Sequence, residues 1–249
     1  MSREPKPVEN EIFDILNGCI DSGRTLSEIE IQQLIRKANQ LRAPLKYVCL
    51  SALYSHSAKY QLAIDTVNRC LRSNFYEPQC VSNMVSALKN ARLFKSVVDI
   101  SKEFPYILEH SKVMSDVYDS ALYTLDLEYC SYISDKYVLT HDDDYLSHDK
   151  IYDYFERNEE IVSRASSYFN YVFSTLTEIL AEAKARSSSI QFGLCNLGDY
   201  ASLELAVQVK GSDFESVFDM ESSWTKRLAQ YEIVDDKLCD ISFAMEVKS

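Results

Sequence analysis

The chain has 249 residues, of which 46% are apolar and 26% are charged, and its formal net charge at pH 7 is −12. This composition is ordinary for a folded protein and leaves room for one large domain or two modest ones. The five glycines and five prolines are too few for the turns of an all-β fold, which favours long helices with short connections. The acidic balance disfavours direct binding of nucleic acid, and the absence of a run of about 18 apolar residues disfavours a membrane span.

The first predicted elements are two amphipathic helices, at residues 8–20 and 27–41. The second begins with a capping box, in which Ser27 is followed three residues later by Glu30. No apolar segment of signal-peptide length precedes them, and the seven cysteines are scattered without a CxxC motif. We therefore expect a cytoplasmic protein whose cysteines are reduced and buried.

A Ser-Ala-Leu triplet then occurs three times at nearly even spacing, starting at Ser51, Ser86 and Ser120. An aromatic residue follows each triplet after a short interval, and these residues are Tyr60, Phe94 and Tyr129. Self-similarity with a period of this length is typical of arrays of paired helices. We interpret the serines and alanines as the small residues that allow two helices to cross closely.

The first of these units carries the fullest pattern: a large residue, a leucine, a small residue and an aromatic on one helix, then an aromatic, an alanine and an apolar residue on the next. The residues concerned are Tyr47, Leu50, Ser51, Tyr54, Tyr60, Ala63 and Ile64. On this pattern, residues 44–140 resemble the tetratricopeptide repeat, and a generic bundle of helical hairpins is the alternative. In the second unit Val97 stands in place of Ala63 and the turn is one residue shorter, whereas Tyr132 takes that place in the third unit.

The resemblance implies that the first helix of each pair lines a groove that binds a partner protein, often through a clamp of Asn, Lys or Arg side chains around a carboxylate. The chain offers only Lys46, Asn83 and Lys89 near those helices, and they do not recur in one register. Tyr54 and Tyr123 complete the candidate binding residues, because tyrosines supply adaptable contact area.

Residues 141–150 form a predicted acidic linker that contains two of the four histidines. His141, Asp142, His148 and Asp149 supply imidazole and carboxylate groups, which together suit zinc, manganese or iron. A metal-dependent phosphohydrolase is therefore the alternative to a binding protein. No glycine-rich phosphate loop or nucleophile elbow is present, and we expect neither a cofactor nor a catalytic residue in the leading interpretation.

Residues 151–183 predict one long helix, because apolar residues recur at alternating steps of four and three from Ile151 to Ala183. Asn158 is the polar residue in this heptad seam. Further apolar side chains widen the stripe beyond a narrow coiled-coil seam. We favour packing of this helix within the chain, with a homodimer through the same helix as the alternative.

The remaining residues predict a small ββαβ unit. Alternating apolar residues indicate strands near residues 190–194, 203–209 and 241–247. A predicted helix joins the last two strands and carries Phe214 and Phe218. It begins with a second predicted capping box, formed by Ser212 and Glu215. A β-helix-β connection leaves its two strands parallel, and the edges of so small a sheet are a second possible route to a homodimer.

The sequence thus predicts a mainly α-helical fold with a helical repeat domain at residues 8–140, an acidic linker at 141–150, and a long helix plus ββαβ domain at 151–249. The leading function is a cytoplasmic adaptor or assembly subunit that binds a protein partner through a helical-repeat groove.

The two functions predict different metal contents. We expect the purified protein to contain no stoichiometric transition metal when it is measured by inductively coupled plasma mass spectrometry. A stoichiometric metal that is lost in the His141→Ala variant would contradict the adaptor interpretation and support the phosphohydrolase.

Overall fold

The computed structural model describes residues 7–73, 77–136, 143–185, 188–197, 200–232 and 241–248. The fold is mainly helical, with a small three-stranded mixed sheet near the C-terminus. Two compact units divide the chain, an N-terminal unit of Met1–Val117 and a C-terminal unit of Tyr118–Ser249. The domain limits that the sequence predicts stay a prediction. In the described part of the chain, no helix is both long and apolar enough to cross a membrane.

Helices make up the regular structure of the N-terminal unit. They are α1 (Val8–Ser22), α2 (Glu28–Asn39), α3 (Leu45–His56), α4 (Tyr60–Arg72), α5 (Pro78–Asn90) and α6 (Phe94–Glu103), with a short 3-10 helix at Pro105–Glu109. The next helix, α7 (Ser111–Tyr123), begins in this unit and ends in the C-terminal one. The C-terminal unit continues with α8 (Leu127–Lys136), α9 (Asp143–Glu156), α10 (Glu159–Glu182), β1 (Ser188–Leu197), β2 (Tyr200–Lys210), α11 (Phe214–Leu228) and β3 (Ile241–Lys248).

A residue with left-handed backbone conformation ends the first helix of each successive pair. These residues are Gly23, Ala58, Arg92 and Leu125, with φ between 57° and 66°, and they are separated by 35, 34 and 33 residues. In the last three pairs the next residue donates its N–H to the carbonyl five residues back: Lys59 to Tyr54 at 2.9 Å, Leu93 to Leu88 at 3.1 Å and Asp126 to Ala121 at 2.9 Å. This is the Schellman closure of a helix C-terminus, so α3/α4, α5/α6 and α7/α8 share one turn geometry.

The Ser-Ala-Leu triplets do not occupy equivalent places in these pairs. Their serines lie seven, six and five residues before the left-handed residue of each turn, at Ser51, Ser86 and Ser120. Equivalent positions that are buried in all three pairs include the one eight residues before that residue, at Leu50, Met84 and Val117, and the one five residues after it, at Ala63, Val97 and Cys130. The three pairs therefore share the geometry of the turn, and each triplet lies one residue closer to the turn than the triplet before it.

Two details of the predicted repeat are wrong, because the Ser-Ala-Leu triplets from which they are counted shift by one residue from pair to pair. The turn of the second pair is no shorter than the others, because three residues separate the helices in every case. In the third pair, α8 begins at Leu127 rather than at Tyr129. The residue equivalent to Ala63 is consequently the buried Cys130, whereas Tyr132 is 39% exposed.

Helix α3 lies at the centre of the N-terminal unit. It packs against α1, α2, α4 and α5, and Val48, Cys49, Leu50 and Leu53 are buried along it. Both α1 and α5 contact α3, and we call these first helices of three successive pairs the row. The Arg72 guanidinium on α4 binds the Glu103 carboxylate on α6 at 2.9 Å, which links two of the second helices.

The predicted long helix is interrupted. Asn158 lies between α9 and α10 as the N-cap of α10, and its side-chain amide donates to the Tyr154 carbonyl at 2.7 Å. In one straight helix, Phe155 and Phe169 would lie about 21 Å apart along the axis, but their rings meet edge to face at 6.0 Å. The chain therefore folds back after α9.

The heptad residues pack within the chain as a result of this reversal. Buried members of the seam are Ile151, Phe155, Ala165, Phe169, Val172, Leu176 and Ile179. The homodimer through residues 151–183 stays a prediction, and it would need other side chains of these helices.

The C-terminal sheet confirms the predicted ββαβ order. β1 pairs antiparallel with β2, and β2 pairs parallel with β3. On β2 the alternating residues Leu203, Leu205, Val207 and Val209 are buried. Helix α11 packs on α10 and β3, where the buried Trp224 donates its indole N–H to the Val172 carbonyl at 3.3 Å.

The second predicted capping box is not formed. The N-cap of α11 is Asp213, whose carboxylate accepts the Ser216 N–H at 2.7 Å. Ser212 and Glu215 therefore do not make the reciprocal bonds, whereas Ser27 and Glu30 do so at the start of α2, as predicted.

The left-handed turn residues make a stability prediction. Ala58 adopts φ 57°, which costs a residue with a Cβ atom about 1–2 kcal/mol, so Ala58→Gly relieves strain that Gly does not have. We expect this variant to raise the free energy of unfolding by up to about 1 kcal/mol after the larger chain entropy of Gly is included. The matched control is Ala87→Gly within α5, which should lower it by about 1 kcal/mol. Equal losses in urea denaturation of the two variants would contradict the role of the turn.

Candidate functional site

The candidate binding residues of the repeat region lie on two neighbouring helices and one further helix. Lys46 and Tyr54 belong to α3, and Asn83 and Lys89 belong to α5, which packs against α3. The structure thus brings the first four onto adjacent helices of one unit. Tyr123 lies in the C-terminal unit.

Lys89 is part of a polar cluster with Ser86 and Asp116. Its ammonium lies 2.9 Å from Oδ1 of Asp116, and the Ser86 hydroxyl donates to Oδ2 of the same carboxylate at 2.6 Å. The side chains of Lys89 and Asp116 are 22% and 12% exposed. A largely buried carboxylate needs such partners, because burial removes its hydration. The cluster therefore joins α5 to α7, and Lys89 already binds a carboxylate of its own chain.

The other candidates on α3 and α5 are half-buried. The Asn83 amide accepts from the Gln79 amide at 3.0 Å, one helical turn away. Tyr54 packs with its ring against the core formed by α1, α2 and α3. Lys46 lies in the first turn of α3 and is half-buried. A second protein can therefore contact only the solvent-exposed part of each of these side chains.

Tyr123 holds two elements of the C-terminal unit together. The residue is buried, and its hydroxyl donates to the Ile190 carbonyl on β1 at 3.1 Å. Its ring meets Phe173 edge to face at 5.7 Å and Phe192 at 5.1 Å. These contacts give Tyr123 a packing role, and its role in binding stays a prediction.

The candidate metal ligands fall outside the parts that the structure describes in full. His141 and Asp142 lie outside the described residues, and His148 and Asp149 lie on α9 with side chains that are likewise not described. Among the described residues, no group of three or more His, Cys, Asp or Glu side chains could hold a metal ion. The phosphohydrolase stays a prediction from the sequence.

Three thiols of the N-terminal unit are not activated. Burial raises the pKa of Cys49 and Cys70 to about 11, and burial together with the Glu77 carboxylate raises that of Cys80 to about 12. A thiol with so high a pKa stays protonated at neutral pH and is a poor nucleophile. Together with Cys19 and Cys130 these cysteines are free and buried, which confirms the sequence prediction for the five whose side chains are described.

The outer edge of the sheet is partly occupied by a side chain. In the described sheet β3 is an edge strand, and its Met245 N–H donates to the Glu221 carboxylate of α11 at 3.1 Å. Pairing with a second copy at this edge would have to displace that bond. The homodimer through a sheet edge therefore stays a prediction, with this bond as an obstacle.

Two features of the surface were not foreseen from the sequence. One is the role of Ser86 and Asp116, since nothing in the spacing showed that Lys89 would have a partner 27 residues away. The other is the exposure of Phe214 and Phe218 on α11, at 78% and 58%. Phe214 and Phe218 are four residues apart and therefore share one face of α11. Phe218 directly follows the buried Val217 and is turned by about 100° from it around the helix axis.

A scan against protein-family models, a search of curated proteins and a search of solved structures give no match for this chain.

The Asp116 cluster makes a second stability prediction. Asp116→Ala leaves the Lys89 ammonium largely buried without this carboxylate, so we expect the free energy of unfolding to fall by about 2–3 kcal/mol. The matched control is Asp99→Ala, which removes an exposed i,i+4 pair with Lys95 and should cost less than about 0.5 kcal/mol. Similar urea midpoints for the two variants would show that the cluster does not stabilise the packing of α5 against α7.

Proposed function

We propose that the protein is a protein-interaction subunit, in which α3 and α5 present the surface that binds a segment of a partner protein. The observation that carries this proposal is the row formed by α1, α3 and α5. Helices that are stacked in a row expose an extended surface, which is how repeat proteins of paired helices bind their partners. The resemblance of residues 44–140 to the tetratricopeptide repeat supports the same assignment.

The charge of the two helices indicates which kind of segment they suit. Neither α3 nor α5 contains an aspartate or a glutamate, although the whole chain has a net charge of −12. Their lysines are Lys46 and Lys89, and Lys89 is bound to Asp116. A clamp that relies on several free ammonium groups is therefore not favoured.

Amide and hydroxyl groups supply the recognition instead. The side-chain amide of Asn83 carries both a donor and an acceptor, the same pair of groups that a peptide bond offers. Tyr54 adds a hydroxyl group and the open side of an aromatic ring on the neighbouring helix α3. We infer that the bound segment is uncharged or weakly acidic and that it contributes backbone hydrogen bonds and apolar side chains.

The chemistry of the thiols supports a cytoplasmic location for this role. The five described cysteines are free and buried, as is usual in a reducing compartment.

The test is affinity purification from the native cell with two matched double variants. Lys46→Ala with Asn83→Ala alters the surface of α3 and α5. The control, Gln61→Ala with Asp65→Ala, alters an exposed pair on the second helix α4. We expect the first variant to lose the partners that the natural protein retains, whereas the control should keep them, as measured by quantitative mass spectrometry.

Circular dichroism should show the same helix content in all three proteins, because both pairs of substitutions replace half-buried or exposed side chains with a good helix former. If the variant on α3 and α5 and the control on α4 retain the same partners in the same amounts, the row of first helices is not the binding surface.

A further inference from the structure

Helix α11 carries a pair of aromatic side chains on its surface. Phe214 is 78% exposed and Phe218 is 58% exposed. Residues four apart on a helix are neighbours on its surface, so the two rings form one apolar patch over the first two turns. The buried Val217, Met220, Trp224 and Leu228 lie on an adjacent side of the helix, about 100° around its axis. The patch is therefore separate from the core that holds α11 in place.

Four carboxylates accompany this patch in the sequence of α11 and its N-cap, and one of them, Glu221, accepts the Met245 N–H of β3. Asp213, Glu215 and Asp219 are exposed and Glu221 is half-buried, and no lysine or arginine occurs between residues 211 and 225. The Ser216 N–H lowers the pKa of Asp213, which keeps that carboxylate ionised at neutral pH. We call Phe214, Phe218 and these four acids the α11 surface.

Helix capping and the helix dipole explain only some of the residues of the α11 surface. Asp213 caps the N-terminus, and Glu215 lies in the first turn, where a negative charge interacts favourably with the helix dipole. Asp219 lies beyond the first turn. The two phenylalanines have a lower helix propensity than most residues and leave most of their apolar area in water, so they stabilise the fold less than buried rings would.

We propose that the α11 surface is a second binding site, which takes a basic amphipathic segment of another protein. Aromatic side chains, phenylalanine among them, are enriched in protein interfaces relative to the rest of the surface. The four carboxylates would attract and orient lysine or arginine side chains that flank the apolar residues of the partner.

The charge of the α11 surface distinguishes this occupant from the others. A second copy would bring four further carboxylates against the first four, and like charges at an interface oppose binding. Anionic lipid headgroups and nucleic acid phosphates are repelled for the same reason. A basic protein segment is the occupant that satisfies both the apolar and the charged parts.

This proposal is independent of the one for α3 and α5. It concerns the C-terminal unit, and neither result decides the other.

The test measures binding of a labelled peptide to the full chain by fluorescence anisotropy. The probe is an amphipathic helical peptide of leucine and lysine, and its counterpart carries glutamate in place of lysine. We expect the lysine peptide to bind with an affinity that falls as salt is added, and the glutamate peptide to show no binding. The variant Phe214→Ser with Phe218→Ser should weaken binding by at least about tenfold.

Two matched controls separate the α11 surface from general effects. Ile29→Ser with Leu62→Ser removes exposed apolar residues of the N-terminal unit and should leave the affinity unchanged. Glu215→Gln with Asp219→Asn should weaken binding several-fold at low salt, whereas Asp65→Asn with Asp99→Asn should not. The fluorescence of Trp224, the one tryptophan of the chain, reports in each variant that the core beside α11 is intact.

Four outcomes would overturn the proposal. They are an absence of binding by the lysine peptide, equal binding by the glutamate peptide, unchanged affinity in the Phe214→Ser, Phe218→Ser variant, and a loss of affinity in the Ile29→Ser, Leu62→Ser control that matches the loss in that variant. Binding to vesicles of phosphatidylserine, or a dimer in light scattering, would also overturn it if the phenylalanine variant abolished either one.

Discussion

The left-handed residue that ends each first helix is the constraint on which the arrangement of the helix pairs depends. At Ala58, Arg92 and Leu125, one residue with φ near 60° reverses the chain, and the next helix starts two residues later. Because the turn has the same length at Ala58, Arg92 and Leu125, each second helix leaves its partner in the same way. The positions that face the interior then follow at fixed distances from the turn, as the buried Ala63, Val97 and Cys130 show.

Two polar contacts between helices of the N-terminal unit differ in their burial. Asp116 is largely buried between Ser86 and Lys89, whereas Arg72 and Glu103 meet at the surface. The buried cluster is costly to break, because removal of one partner leaves a charge without its compensation. It also occupies the lysine that a carboxylate clamp would need. The same contact therefore stabilises the unit and disfavours a bound segment that depends on a free carboxylate pairing with Lys89.

Much of the fold follows from the periodicity of the sequence. Alternation of apolar residues predicted the ββαβ unit, and spacings of three and four predicted the helix pairs. The register of the pairs did not follow, because Ala, Arg and Leu have no preference for the left-handed conformation that the turn requires. The heptad pattern places Asn158 inside one helix, because such a pattern shows which residues share a face but does not show whether the helix is continuous. Hydrophobicity likewise did not reveal that Phe214 and Phe218 face water, since that depends on which side of α11 the sheet covers.

The parallel pairing of β2 with β3 has a kinetic consequence. The helix pairs close through bonds between residues five apart, so each pair forms on contacts that are local in the chain. The pairing of β3 with β2 has to wait until the intervening segment, residues 211–240, has closed a loop. Loop closure of this kind slows folding more than local contacts do. We therefore expect the helices α1 to α6 to acquire their structure before β3 pairs with β2, and the burial of Trp224 between α10 and β3 to report on that later event.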